Sequence, residues 1–483
     1  MSNSSVALWL TLLLCLLAVH VKGMSSSWNQ LNANGLRNRY LYNFGRKHAP
    51  FVSTFSYSTA IGSFPIILDD KTGRMFSVNW DFNTKQERLV SFDVTRGGKL
   101  VTSSFLFPIN YTRIDENRPV LDVKKQELYI ARMHLKDLTY TVVRVNTTEG
   151  SGFGANSLLN EAVCKTAILD IATSVQRNVL VVSSKEELLG LNTGIRSEKL
   201  WSFSNSVMND LIQFGDILLD DEKGTAFVSV SQKGPSSTMP FYTGLIHINV
   251  TTGSLLHKTA FSASLFTKVI QTPIDVVSLD GGFILISYEP SLQTGNVRLT
   301  LFHEQDITHP VTQFDLNLRK YMKDLVRYEC SNILAFTTAG DDQNSFAMLC
   351  SLSQDATLVN ALSISFKFAV IDTDGSGTAA RLIVTEENIY DNPRFSTCNL
   401  QIVTMSHGGG GNDNGDNPDG DYYGFICNQQ LIIYSQSGVG EALERIDLDK
   451  TETPRDWLAA ANQMVYLLSD TDLKSFPNSI PQP

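Results

Sequence analysis

One pattern recurs along this chain about every 50 residues: an apolar strand, a turn built from Asp, Gly and Lys, and a second apolar strand. It reads IILDDKTGRMFSV at Ile66–Val78, VLDVKKQELYIA at Val120–Ala131 and ILLDDEKGTAFVSV at Ile217–Val230. Asp69 and Asp122 are 53 residues apart, Asp122 and Asp170 are 48, and Asp170 and Asp220 are 50. A second half follows each time, as an alternating strand, a turn with Gly or Thr, and a further strand. It begins at Arg88 (RLVSFDVTRGGKLV), at Tyr140 (YTVVRVNTTEG) and at Gly244 (GLIHINVTTGSLLH). Runs of β-branched and aromatic residues between turn signals predict an all-β chain. Gly and Asp recur because tight hairpins need positive φ at their turns.

About four short strands per unit, repeated at this period, is the pattern of β-propeller blades. A chain of 483 residues also exceeds what one ordinary core supports. Units starting at residues 66, 120, 168, 216, 273, 325, 369 and 457 predict a single propeller of eight blades, each of about four antiparallel strands, with seven as the alternative count. The seventh unit is long enough to hold a further unit or a large insertion. The eighth has only its inner hairpin, so an N-terminal strand around Phe51–Ser58 is expected to complete it and leave no open sheet edge. The expected organisation is a signal peptide at 1–23, an irregular segment at 24–50, the propeller at 51–476 with a Gly/Asn/Asp-rich insertion at 406–424, and a tail at 477–483.

The clearest unit is Asn178–Phe203. It has an apolar strand Val179–Val182, then Leu188–Leu191, the turn Asn192-Thr193-Gly194, and Leu200-Trp201. This order resembles the repeats of quinoprotein alcohol-dehydrogenase-like propellers, and Gly244–Leu256 and Val465–Phe476 match it in part. The resemblance implies the fold. The vicinal cysteine pair of those dehydrogenases is absent, so quinone binding does not come with it. Gly194 and Trp201 read as repeat architecture, a turn and a wedge between blades.

Val6–Val21 is apolar and uncharged, and Lys22 and Gly23 follow it. Its length and position match a secretory signal, with cleavage expected before Met24. No later run has about 18 uninterrupted apolar residues, so no membrane anchor is expected. Without Lys22 the balance is 38 basic residues against 49 acidic, or −11. That disfavours a nucleic-acid partner, which needs a basic footprint. Three sequons lie at or beside turns: Asn110-Tyr111-Thr112, Asn146-Thr147-Thr148 and Asn249-Val250-Thr251. Of the cysteines after the leader, Cys398 and Cys427 are symmetric about residues 412–413, and Cys330 and Cys350 flank the turn Ala339–Asn344. An oxidising compartment favours both bridges and leaves Cys164 as a buried free thiol.

Asp372-Thr373-Asp374-Gly375-Ser376-Gly377 alternates oxygen ligands around a tight turn, as calcium loops do. Asp372, Asp374 and Ser376 are the candidate ligands. However, Ile383 stands where an EF-hand would place its bidentate Glu, and Ala380 where a propeller loop would offer Asp. An Asx-rich hairpin is the competing account. Ser406–Gly424 is Gly/Asn/Asp-rich and cannot pack a core. It reads as a solvated loop opposite the tight turns of its neighbours. His247 and His257 are symmetric about Thr252 in a predicted hairpin, which allows them to face one another and begin a zinc or copper site, but no third ligand is visible and chance placement is the favoured account. There is no G-x-S-x-G, H-E-x-x-H, P-loop or C-x-x-C motif.

These features point to a secreted glycoprotein that displays loops to an extracellular protein or carbohydrate, in surroundings that could be rich in calcium. No organic cofactor is expected. The alternative is a propeller hydrolase or oxidoreductase, with a metal at the central channel.

Overall fold

The computed structural model describes residues between Phe55 and Pro477. These are the strands, with continuous coverage of 119–148, 164–194, 211–233, 241–259 and 295–330. The signal segment, Asn110, Asp374, Ser376, Cys398 and residues 406–421 lie outside the described residues.

The described strands form eight separate antiparallel sheets in chain order. The first contains Ile67–Asp69, Arg74–Asp81, Gln86–Asp93 and Lys99–Leu106. The third contains Ile168–Ser174, Val179–Ser184, Glu187–Asn192 and Lys199–Ser204. The fourth contains Leu211–Asp220, Thr225–Lys233, Phe241–Asn249 and Leu255–Lys258. The fifth runs from Pro273–Leu279 to Asp306–Asn317. In the second and sixth sheets the first strand is interrupted. Tyr111–Arg113 and Val120–Asp122 share the partner Glu127–His134. Arg327–Cys330 and Leu334–Thr337 share Asn344–Ser353. The eighth sheet joins the two ends of the described chain: Phe55–Ser58 pairs with Asp472–Pro477, outside Met464–Ser469 and Pro454–Ala459.

Neighbouring sheets pack face to face, and the core sits in the seams between them. Ile67, Phe76 and Leu89 of the first sheet meet Leu128, Ile130 and Val143 of the second. Tyr129 and Val142 from the other face of the second sheet meet Ile168, Leu180 and Val182 of the third. Val179, Val181 and Leu188 then meet Phe214, Ile217 and Val228 of the fourth. A strand covered on both faces has no polar side to show. Val179–Ser184 is therefore buried at every position, and its first four residues, Val179–Val182, form a continuous apolar run. Each fully buried Val or Leu contributes roughly 1.5–3 kcal/mol. The first strands also succeed one another in contact, from Ile67–Asp69 through each sheet to Pro454–Ala459.

Three expectations are corrected by the sheet topology. Residue 369 does not begin a unit: it lies within Val359–Thr373, the third strand of the sixth sheet, and the seventh sheet begins at Asn399. Asp372–Gly377 joins the third and fourth strands of that sheet, with Asp372 opposite Thr378. First and third hairpin turns use the same Asp and Gly chemistry, so the two look alike in sequence. Residues 406–421 stand between the first and second strands of the seventh sheet, the position that the short turns 123–126, 175–178 and 221–224 occupy in the second, third and fourth sheets. Finally, Asp170 is not the counterpart of Asp122. The turn positions are Asp69↔Arg74, Asp122↔Glu127, Ser174↔Val179 and Asp220↔Thr225. Ser174 fills the repeat position, and Asp170 sits four residues earlier.

Candidate functional site

The richest polar chemistry among the described residues lies in the seams, at the hairpin ends of the sheets. It begins with a local repeat. The first hairpin turn ends on a residue with positive φ: Gln126 at 56°, Asn178 at 55° and Gly224 at 71°. Its carbonyl accepts the N–H of the residue that follows the third strand. These bonds are Thr147 to Gln126 (2.8 Å), Thr193 to Asn178 (2.9 Å) and Val250 to Gly224 (3.0 Å). The Asn just before each donor folds an Asx-turn. Asn146 Oδ1 accepts from Thr148 N (2.8 Å), Asn192 Oδ1 from Gly194 N (2.8 Å) and Asn249 Oδ1 from Thr251 N (2.9 Å). The two turns of each sheet are thereby tied together, as Asn chemistry at turns predicts.

Each tied pair is then gripped by the sheet before it. Arg74 of the first sheet donates to the Thr147 carbonyl of the second. Lys125 Nζ of the second donates to the Thr193 carbonyl at 3.0 Å and to Thr193 Oγ1 at 2.5 Å, and Arg144 donates to the Gly194 carbonyl at 2.8 Å. Trp201 Nε1 of the third donates to the Val250 carbonyl of the fourth at 2.8 Å. Arg177 donates to the carbonyls of Asp221 and, at 2.9 Å, Glu222. Lys223 of the fourth sheet pairs with Glu304 of the fifth. The Trp201 indole lies where a Cβ on either Gly190 or Gly253 would overlap it. Gly190 opposes Trp201 within the sheet, while Gly253 stands in the next sheet's turn at φ 68°. The indole is thus the wedge its sequence position suggests.

The repeated acidic residues serve as turn caps. Asp69 accepts from Thr72 Oγ1 at 2.8 Å and, across the seam, from Gln126 Nε2 at 2.9 Å. Asp122 Oδ1 accepts from the N–H groups of Lys124 and Lys125, both at 3.0 Å. Asp220 Oδ1 accepts from Lys223 N at 3.0 Å. Where the third sheet has Ser174 instead, its hydroxyl donates to Asp221 of the fourth. Asp170 does different work: buried at the start of its strand, it accepts the Ile217 N–H across the seam at 2.8 Å.

Two buried groups escaped the sequence reading. Arg132, fully buried in the second sheet, pairs with Glu87 of the first and lies over the Phe107 ring at 3.8 Å. Burial pulls its guanidinium down to about 9. The residues are 45 apart in sequence and no short motif links them. Tyr129 donates to Glu127 Oε2 at 2.7 Å, and burial followed by Glu127 raises its phenol.

His247 and His257 do oppose one another, with ring centroids 5.7 Å apart. Among the described residues no group of three metal-ligating side chains surrounds them or forms elsewhere. Cys330 and Cys350 face each other across paired strands and are joined by a disulfide. Cys164 is a buried free thiol, pushed up to about 12 chiefly by burial. Among the described residues, no helix is long and apolar enough to cross a membrane.

No family model matches the chain, and no curated protein matches it in sequence. Its resemblance to quinoprotein propellers therefore stays at the level of the repeat. Similar solved structures include the WD40 domain of SCAP from fission yeast, at 11% identity and a TM-score of 0.48, covering 89% of this chain and 98% of that one. Another is extracellular domains 1–2 of Drosophila Semaphorin 1a, at 8% identity and a TM-score of 0.42, covering 90% of this chain and 88% of that one. At these values neither likeness carries an argument, and the architecture rests on the sheets themselves.

Proposed function

We propose that this chain is a secreted, N-glycosylated β-propeller of eight blades that serves as a rigid binding and scaffold module for an extracellular protein or carbohydrate. Each sheet is one blade in this reading. Face-to-face stacking of successive sheets supports it, as does the contact of each first strand with the next. Pairing of Phe55–Ser58 with Asp472–Pro477 supports closure of the ring by the N-terminal strand.

One observation carries the binding role. In the described seams Arg74, Lys125, Arg144, Arg177 and Trp201 are committed to backbone carbonyls of the neighbouring sheet, and Arg132 and Lys223 to its carboxylates. They hold the frame stiff, and the connecting loops are left to vary, which is how rigid scaffolds present recognition surfaces. The sequon residues Asn146 and Asn249 occupy equivalent Asx-turns that engage Oδ1, whereas an N-linked sugar attaches to Nδ2. Asn110 is the third acceptor in this reading, and Cys398–Cys427 a second bridge. The Asp372, Asp374 and Ser376 loop is a candidate calcium turn suited to a calcium-rich matrix.

Expression of the full chain in secretory cells tests the reading. The expected result is protein in the medium whose mobility shifts on endoglycosidase treatment, with the shift reduced by Asn→Gln changes at 110, 146 and 249. Retention inside the cell without a shift would overturn secretion. Averaged electron images should show eight radial lobes, and seven would correct the count. Screening of extracellular-protein and glycan arrays tests the binding role. A tightly bound stoichiometric metal found by elemental analysis would favour the enzyme alternative instead. A melting temperature unmoved by calcium or chelator would remove the calcium turn.

A further inference from the structure

Three rings stand in a row on one face of the fourth sheet. Phe227 opposes His247 in register, and His247 opposes His257. The first pair stacks at 4.1 Å with planes 15° apart, the second at 5.7 Å and 25°. Phe227 is buried, His247 half-buried and His257 exposed. Neither ring nitrogen of His247 reaches solvent, and neither has a hydrogen-bond partner. A neutral imidazole tolerates this at modest cost. An imidazolium carries two N–H donors and a charge, and burying them unpaired costs far more.

The charged groups around the stack do not offer relief. On the fourth sheet these are Asp220, Lys223 and His257. Asp220 is already engaged by Lys223 Nζ at 3.2 Å, and Lys223 also reaches across to Glu304. The outer strand of the fifth sheet, Asp306–Asn317, packs against Phe241–Asn249 and Leu255–Lys258. It brings Asp306 and His309 near exposed His257. A proton added to His247 therefore meets Lys223 and His257 without an acceptor of its own.

We propose that this ring stack is an acid-sensitive latch: neutral His247 closes the seam between the fourth and fifth sheets, and its protonation releases that seam while the third sheet stays folded. Burial first, then His257 and Lys223, holds His247 down at about 4. Opening the seam returns it toward its ordinary value of about 6.5. Between those values the open form binds a proton that the closed form does not. Closure is thus fully favoured above about pH 6.5 and is lost as the pH falls toward 4. Solvent screening of a half-buried group reduces the ideal effect, leaving opening about 10-fold easier at pH 5 than at pH 7. The latch needs only these two sheets and is independent of secretion.

Hydrogen–deuterium exchange on the full chain, corrected for the pH dependence of intrinsic exchange, tests it. Peptides within 241–259 and 306–317 should open about 10-fold more readily at pH 5 than at pH 7, while those within 168–194 hold. His247→Phe keeps a ring against Phe227 but cannot titrate, so its acid response should vanish. An unchanged acid response in that variant overturns the latch, as does a uniform loss of protection over every sheet. Should the variant fail to fold, an NMR titration of His247 in the native chain decides. A midpoint below 5 supports the latch and one near 6.5 overturns it.

Discussion

Replacing Trp201 tests the seam architecture most directly. The indole fills the gap between the third and fourth sheets, and its N–H is bonded to the buried Val250 carbonyl at 2.8 Å. Full burial of a Trp makes truncation to Ala cost about 3–5 kcal/mol. Trp201 is only partly buried, so about 2 kcal/mol is the packing share. Leaving the Val250 carbonyl unpaired adds about 1 kcal/mol. Trp201→Ala should therefore cost about 3 kcal/mol, and Trp201→Phe, which keeps a ring but loses the donor, about 1–2 kcal/mol. Gly190 sharpens the test. A Cβ there would overlap the indole, so Gly190→Ala should cost about 1–3 kcal/mol through overpacking. With Trp201 already Ala, the same change should be nearly free, because the overlapping atoms are gone. A chain of stacked sheets need not unfold in two states, so local opening energies from hydrogen exchange over 179–192 and 241–259 are the right measure. Additive costs of Gly190→Ala and Trp201→Ala would refute the wedge, since residues in contact must couple. Equal costs for Phe and Ala at 201 would refute the division between packing and hydrogen bond.

Arg132→Ala strands Glu87 in the seam between the first and second sheets and should cost about 3–5 kcal/mol, with Arg132→Met/Glu87→Met recovering most of it in chemical denaturation. Loss of the Cys330–Cys350 bridge, which closes a separation of 20 residues, should cost about 3 kcal/mol by the chain-entropy estimate, read as a drop in denaturation midpoint for Cys350→Ser. Cys164, with its thiol raised to about 12, should resist iodoacetamide at pH 8 in the folded chain and react on unfolding, as followed by mass spectrometry. Asp170→Ala removes the acceptor of the buried Ile217 N–H and should cost about 1–3 kcal/mol, with faster exchange of the Ile217 amide as its mark.

Much of the local architecture was legible in the residues. The period near 50 and the Asp/Gly turns announced short antiparallel strands. The symmetry about Thr252 allowed His247 to face His257, and the register pairs them. Trp201 read as a wedge because it stands where the repeat places Leu-Trp after its N-T-G turn. The errors came where one local chemistry serves two positions. Asp372–Gly377 has the composition of a first hairpin turn, yet it closes the third and fourth strands of the sixth sheet. Asp170 continued the acidic spacing, yet Ser174 holds that place in the turn.

Turn conformation and strand period are set by sterics over a few residues, so those features are carried in any short stretch of this chain. The seams are not. Arg132 finds Glu87, Trp201 finds Val250, and Asp170 finds Ile217, each from one sheet to the next. Such partners are chosen by how whole sheets stack, and no local rule lists them. The same is true of His247: its sequence shows a histidine on an alternating strand, and only the packing of Phe227 and His257 over its ring leaves both nitrogens dry and unpaired. Chemistry that depends on removing water from a group belongs to the tertiary structure, because desolvation is a property of everything that surrounds it.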